Sequence, residues 1–383
     1  MATSEGAKRK ESNMQFVVSK QNLQKELGYV QGVVEKKNTI PVLSNILIES
    51  VGESTVRLTG TDLDVTIRCD MDAEDIKMPG SICVQARKLF DIARLLPDAP
   101  VTFRKEDNDW VTVTCDKAKF KMVGVARDAF PEVPSSKSAP TKVAAGVMET
   151  FIDRTIFAIT QEESRYTLSG AKFILDDTTA KMVTTDGHRL AYVERKGVTK
   201  DSGDSIDTLI PRKTLAELKK LTAGFEGDIS LGMDGNHIFF EVGPRLLISR
   251  MLYGQFPNYD MVMPKNNDKS VQFDSTLLNA AIRRVALMAD ERSHAVRFHL
   301  GDSELVISSQ NAEEGEASES IQTDYKGDET DIGFNAQYLQ DFLNVIGEGA
   351  VAFEFKDGNS QAQLRPAEGG DYDYKYVVMP MRL

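Results

Sequence analysis

Residues Ala86–Leu96 read ARKLFDIARLL, and the segment returns twice: as PRKTLAELKKL over Pro211–Leu221 and as NAQYLQDFLNV over Asn335–Val345. Phe90, Leu215 and Leu339 stand at equivalent places, 125 and 124 residues apart, and Ala93, Leu218 and Phe342 follow three residues later. Apolar residues at i, i+3 and i+6 or i+7 form one face of an amphipathic helix. Self-similarity at a fixed period marks a repeat architecture. Here the period is that of a whole domain, and the 383 residues hold three copies.

A second helix opens each copy. The expected spans are Lys20–Lys37 after the strand-like Gln15–Val18, Val147–Thr160, and Ser275–Ala289 after Val271–Phe273. Asp274 and Ser275 suit the N-cap of the last. Alternating or β-branched runs lie between the helices at Ile46–Glu49, Val56–Thr59, Val65–Arg68, Val111–Thr114, Lys172–Leu175, Ile238–Val242, Leu246–Ser249, Leu305–Ser308 and Val351–Phe355. Asp186-Gly187, Asp234-Gly235 and Asp357-Gly358 mark tight turns. Phe130-Pro131 closes the first copy and Phe256-Pro257 the second, 126 residues on; a further 126 reaches the terminal VVMPMRL. The expected division is a disordered extension over 1–13 and domains over 14–135, 136–264 and 265–383, with SSKSAPT (135–141) and KNNDK (265–269) as linkers. The fold class is α+β, each domain packing two helices on an antiparallel sheet. A repeat with constant rotation between copies closes into a ring or runs on as a filament.

Lys and Arg total 46 and Asp and Glu 58, a net charge of −12. Taken whole, that argues against a general nucleic-acid binder, because phosphates need cations. The six helical windows, however, carry +7, which leaves −19 for the rest. Such a split would present a cationic layer to phosphates; ordinary solvated helix faces are the other reading. No stretch approaches the length of a membrane span, and MATSEGAKRKESN lacks the apolar core of a secretory signal. Cys69, Cys83 and Cys115 form no CxxC pair, which points to buried thiols in a reducing cytoplasm.

Catalytic chemistry finds little support. Asp186, His188 and Ser164 could be grouped as a hydrolase site, but no GxSxG motif accompanies them. The four histidines form no HExxH, and there is no GxxxxGK[ST] loop. No metal, cofactor or catalytic residue is expected.

Specific motifs then narrow the reading. Lys37–Leu43 (KNTIPVL), Thr59–Leu63 (TGTDL), Arg165–Leu168 (RYTL), Thr184–Ala191 (TTDGHRLA), Phe256-Pro257, Gly333–Asn335 (GFN) and Tyr376–Leu383 (YVVMPMRL) run in order along the chain. Together they resemble the β-subunit family of bacterial DNA polymerase III, the sliding clamps. The resemblance implies three tandem DNA-clamp domains, closing as a six-domain ring in a head-to-tail homodimer whose helices line a hole for duplex DNA. It implies a non-catalytic processivity factor. Its partners would be double-stranded DNA, a second copy, the polymerase III catalytic subunit, a clamp-loader ATPase and repair proteins, with no membrane.

Three groups of residues follow from the resemblance. DNA would meet Lys25, Lys36, Lys37, Arg87, Lys88, Arg94, Arg154, Arg212, Lys213, Lys219, Lys220, Arg283 and Arg284; Arg87 and Arg94 are seven apart, on one helical face. A partner peptide with apolar anchors would enter a pocket of Arg165, Leu168, Thr185, Gly187, His188, Arg189, Leu190, Pro257, Val262, Val377, Met379, Pro380, Met381 and Arg382. The pliant Met-Pro-Met ending suits such a surface. The dimer contact would pair Phe120 and Met122 with Leu287 and Met288 of a second copy. Two other readings stay open from the residues alone: a hydrolase at His188 and Asp186, and a repeat-built adaptor that binds peptides but no DNA.

Overall fold

The computed structural model describes residues 13–34, 40–199 and 204–382. Among them run six α-helices: α1 Lys20–Val30, α2 Ala86–Leu95, α3 Ala145–Thr155, α4 Arg212–Thr222, α5 Ser275–Val285 and α6 Ala336–Ile346. They are the six that the apolar spacing predicts, two to each repeat. Ser19, Asp274 and Asn335 cap α1, α5 and α6 by accepting from main-chain N–H groups of the first turn.

The chain forms two compact units. One holds the described residues up to Pro140 with Glu217–Arg250, and the other holds Thr141–Ala216 with the described residues from Met251 onward. In the first unit, antiparallel strands follow one another in the order 228–234, 237–242, 245–250, 65–72, 55–61, 45–51, 81–85, 118–125, 110–115, 100–105, 15–19 and 75–78. The pairing of 65–72 with 245–250 joins the first repeat to the second, with Cys69 opposite Arg245 and Val65 opposite Ser249.

The second unit repeats that joint. Its eight-stranded sheet runs 206–211, 170–175, 179–185, 189–196, 373–378, 362–366, 350–355 and 269–274, and there 189–196 pairs with 373–378, Arg189 opposite Val378. A separate four-stranded sheet, 315–322, 304–311, 295–301 and 330–335, carries α5 and α6. Phe298, Phe334 and Phe353 pack edge to face beneath them, and Phe342 of α6 stacks on Tyr376 with centroids 5.0 Å apart.

The opening helices are shorter than their sequence windows. The α1 window reaches Lys37, whereas the helix stops at Val30, with Gln31 N–H closing on Leu27 O at 3.0 Å. The same strand position meets that helix end in each repeat. Thr184 Oγ1 donates to Thr155 O at the end of α3 (2.7 Å), and Ser309 Oγ donates to Val285 O at the end of α5 (2.6 Å). Each hydroxyl takes up a carbonyl that the helix end leaves open. In the first repeat that strand position is Gly60, where a Cβ would stand 2.7 Å from Val30 Cγ1 and 2.9 Å from Val30 O. The helix terminus rests directly on the strand. The remainders of the other two windows become single 3₁₀ turns at Ile156–Ala158 and Ala286–Met288.

The three thiols are free and buried, and burial pushes the Cys83 thiol up to about 12. A buried ion pair holds α1 to the strand 245–250. Arg245 donates to both carboxylate oxygens of Glu26 (2.7 and 2.6 Å) and lies 4.4 Å from the Tyr29 ring centroid. Breaking such a pair strands a charge in the interior. Arg245→Ala should therefore lower unfolding stability by about 3–5 kcal/mol, read as a shift in the urea midpoint.

Candidate functional site

The strands 179–185 and 189–196 turn through Asp186, Gly187 and His188. Thr185 Oγ1 accepts from Gly187 N–H (3.0 Å) and donates to Arg189 O (2.6 Å), while Asp186 Oδ1 accepts from His188 N–H (2.9 Å) and Arg189 N–H (3.1 Å). Gly187 has φ +90°, which glycine adopts without steric cost. Asp186 is thus occupied as a turn residue, and His188 faces Tyr338 with ring centroids 6.4 Å apart.

Arg189 fixes the turn from beneath. Its Nε donates to Asp186 Oδ2 (2.9 Å), its Nη1 donates to Asp341 Oδ2 of α6 (2.5 Å), and its Nη2 donates to Phe157 O (2.7 Å). The guanidinium also sits 4.4 Å from the Tyr338 ring centroid. Burial disfavours its charge, but Tyr376 and Asp341 outweigh that and raise its pKa. Arg165 reaches over the turn, donating to Asp186 O at 2.6 Å.

Beside this frame lies a hollow of about 100 Å³ lined by Leu168, Thr185, Gly187, Arg189, Leu190, Pro257, Tyr259, Val262, Val377 and Met379. Its base is a packed cluster of Val183, Leu190, Tyr192, Leu209, Phe256 and Val377. The expected pocket residues Leu168, Thr185, Gly187, Arg189, Leu190, Pro257, Val262, Val377 and Met379 come together here. Tyr259, unanticipated, joins them, although it ends the conspicuous Phe256-Pro257-Asn258-Tyr259 stretch. Arg165, His188, Pro380, Met381 and Arg382 lie outside this lining. Met381 N–H donates to Gly333 O (2.8 Å), so the tail turns along the strand 330–335. Met381 and Arg382 line a polar groove of about 650 Å³ with Arg297, Gln310 and Glu316.

The expected DNA-facing residues divide. Lys36 and Lys37 lie outside the described residues. Lys25, Arg87, Arg94, Lys219, Lys220, Arg283 and Arg284 are exposed, and Arg212 and Lys213 half-buried. Arg87 and Arg94 share one concavity at the α1–α2 pair with Gln31 and Phe90. Lys88 instead borders an apolar hollow. Arg154 is stacked over Tyr372 and Tyr374, 4.6 and 5.1 Å from their centroids, and burial lowers its pKa. Arg284 is paired with Glu319 and Lys220 with Glu217. On the observed bounds the helices carry +6, leaving −18 elsewhere.

Phe120 and Met122 line the apolar hollow, about 730 Å³, together with Ile92, Leu95 and Val123. Leu95 is 77% exposed and Val123 61%. The strand 118–125 pairs along 110–115 but meets 81–85 only at Gly124 and Val125. In the other unit Leu287 is 76% exposed, beside the end strand 315–322.

Residues 14–134, 142–258 and 260–382 match, in order, the N-terminal, central and C-terminal domains of the DNA polymerase III beta subunit. The beta sliding clamp of Pseudomonas aeruginosa is 37% identical over 372 residues, covering 97% of this chain and 100% of the relative. That of Escherichia coli is 32% identical over 371 residues with the same coverage. A crystal structure of the DnaN sliding clamp from P. aeruginosa bound to griselimycin superposes with a TM-score of 0.91 at 36% identity, over 97% of this chain and 100% of that one.

Three domains of mixed helix and antiparallel sheet, repeated in tandem, define a DNA clamp. The chain belongs to the DNA polymerase III beta-subunit family, the beta sliding clamps, which are non-catalytic processivity factors. The hydrolase reading of His188 and Asp186 therefore falls, consistent with the turn that occupies Asp186. Since Arg189 ties the pocket turn to α6, Asp341→Ala should cost about 2 kcal/mol, measured by thermal or urea unfolding.

Proposed function

We propose that two copies of this chain close head to tail into a ring around duplex DNA. The observation that carries this is the separation of charge: +6 on the helices against −18 elsewhere. Cationic helices facing the hole would hold phosphates without reading bases, which leaves the duplex free to slide. The acidic remainder would repel DNA from other surfaces. Within the described residues, Lys25, Arg87, Arg94, Arg212, Lys213, Lys219, Lys220, Arg283 and Arg284 are the DNA-facing set. Arg154 drops out because its guanidinium is committed to two tyrosine rings, and Lys88 because it borders the apolar hollow. The dimer contact brings Phe120, Met122, Leu95 and Val123 against Leu287 and Met288 of the second copy.

The hollow beside Gly187 takes short apolar anchors from the DNA polymerase III catalytic subunit, the clamp-loader ATPase and repair proteins, all in the bacterial cytoplasm. Loaded on nicked circular DNA, the protein should stay bound in high salt and leave once the circle is cut. Equal loss from circular and linear DNA would contradict encirclement. Met379→Glu places a charge in the apolar wall and should weaken binding of a fluorescent peptide with leucine and phenylalanine anchors by ~10-fold or more, read by anisotropy.

A further inference from the structure

The pocket turn has a twin in the first unit. Residues Thr61–Val65 (TDLDV) stand 124 positions before Thr185–Arg189 (TDGHR), and the two are hydrogen-bonded alike. Leu63 N–H donates to Thr61 Oγ1 at 3.0 Å, and Thr61 Oγ1 donates to Val65 O at 3.2 Å. Asp62 Oδ1 accepts from Asp64 N–H (3.0 Å) and Val65 N–H (2.6 Å). The following strand again pairs across a repeat joint. Arg250 N–H donates to Asp64 O at 2.8 Å, as Met379 N–H donates to His188 O at 2.9 Å. A short 3₁₀ turn precedes both, at Pro41–Ser44 and Glu163–Leu168. Phe130 belongs to a buried cluster with Leu47 and Cys83, and Phe256 to one with Leu190 and Val377.

The side chains differ at the positions that make the second joint a pocket. Gly187 is replaced by Leu63, Leu190 by Thr66 and Met379 by Arg250, whose guanidinium pairs with Asp64 at 3.5 Å. Leu63 has φ +82° and is 46% exposed. A leucine in that region is strained, and glycine would relieve it. The fold pays for a branched apolar side chain at the one place where the other joint has none. At Gly187, by contrast, a Cβ would meet Arg165 Nη1 at 2.8 Å.

We propose that the residue at this turn position decides whether a joint accepts a partner peptide, and that Leu63, with Thr66 and Arg250, seals the first joint. Each chain then offers one docking site although its backbone builds the frame twice. One site per chain limits how many partners compete on a single clamp. The proposal rests on the reading of the Gly187 hollow as the peptide pocket.

Calorimetric titration with a peptide carrying leucine and phenylalanine anchors tests it. Wild-type protein should bind one peptide per chain. Gly187→Leu should lose binding by ~10-fold or more while keeping its circular dichroism, with a melting midpoint lowered by the strain of leucine at φ +90°. Leu63→Gly combined with Thr66→Leu and Arg250→Met should bind two per chain, and Gly187→Leu added to that triple variant should bind one. Undiminished affinity in Gly187→Leu, or a folded triple variant that still binds one peptide, would overturn the proposal. No binding to wild-type protein would instead remove the pocket reading itself.

Discussion

The structure depends on antiparallel pairing across repeat joints. A repeat of two helices on a sheet leaves strand edges open, and an open edge is a row of unpaired N–H and C=O groups. At 65–72 with 245–250, and again at 189–196 with 373–378, the edge of one repeat is satisfied by the next. The joint is main-chain hydrogen bonding with a fixed register rather than a contact between finished surfaces. That is why compactness divides the chain into two units where the sequence shows three copies.

A joint made of backbone also places the pocket. The turn beside Gly187 is specified by its own threonine and aspartate, and the nearly buried guanidinium of Arg189 holds it by three hydrogen bonds, to Asp186 of the turn, to Asp341 of α6 and to Phe157 O. An apolar hollow needs such a floor, since pliable walls of leucine, valine and methionine do not hold a shape by themselves. The charge pattern works at a longer range. Arginines and lysines gather on α1, α2, α4 and α5, whereas α6 has none and the arginine of α3 is turned into tyrosine rings.

Much of this is legible in the sequence because it is local. The helical spacing recurs in all three repeats, but the first is one residue out of step with the sequence alignment: Leu89 and Ile92, not Phe90 and Ala93, hold the buried places of Leu215 and Leu218 and of Leu339 and Phe342, while Phe90 lines the concavity beside Arg87. Each Asp-Gly pair lies at a strand connection. What is not legible is decided by distant residues. The last carbonyls of α3 and α5 are capped by hydroxyls of Thr184 and Ser309, and the end of α1 packs closely on the bare backbone at Gly60. Strand 315–322 reads GEASESIQ, with only Ala317 and Ile321 apolar beside the glycine, because it is an end strand with little to bury. Arg154 looks like any helix-surface cation until Tyr372 and Tyr374 arrive from the other end of the chain. The pocket members that motifs alone suggest include Met381 and Arg382, which one hydrogen bond to Gly333 carries into a different groove. Tyr259 lies between the expected pocket residues Pro257 and Val262, and only the 3₁₀ turn Tyr259–Met261 shows that its ring joins theirs at the hollow.

The placing of sulfur in this chain has a chemical consequence. All three thiols are buried, and burial pushes the Cys83 thiol up to about 12, so thiolate-seeking oxidants find little to attack in the native protein. The thioethers are less sheltered: Met261 is 78% exposed and Met379 lines the hollow. Conversion of Met379 to its sulfoxide would put a polar oxygen on an apolar wall. Oxidative damage would then fall on partner recognition while leaving the cores intact, and a methionine sulfoxide reductase could reverse it.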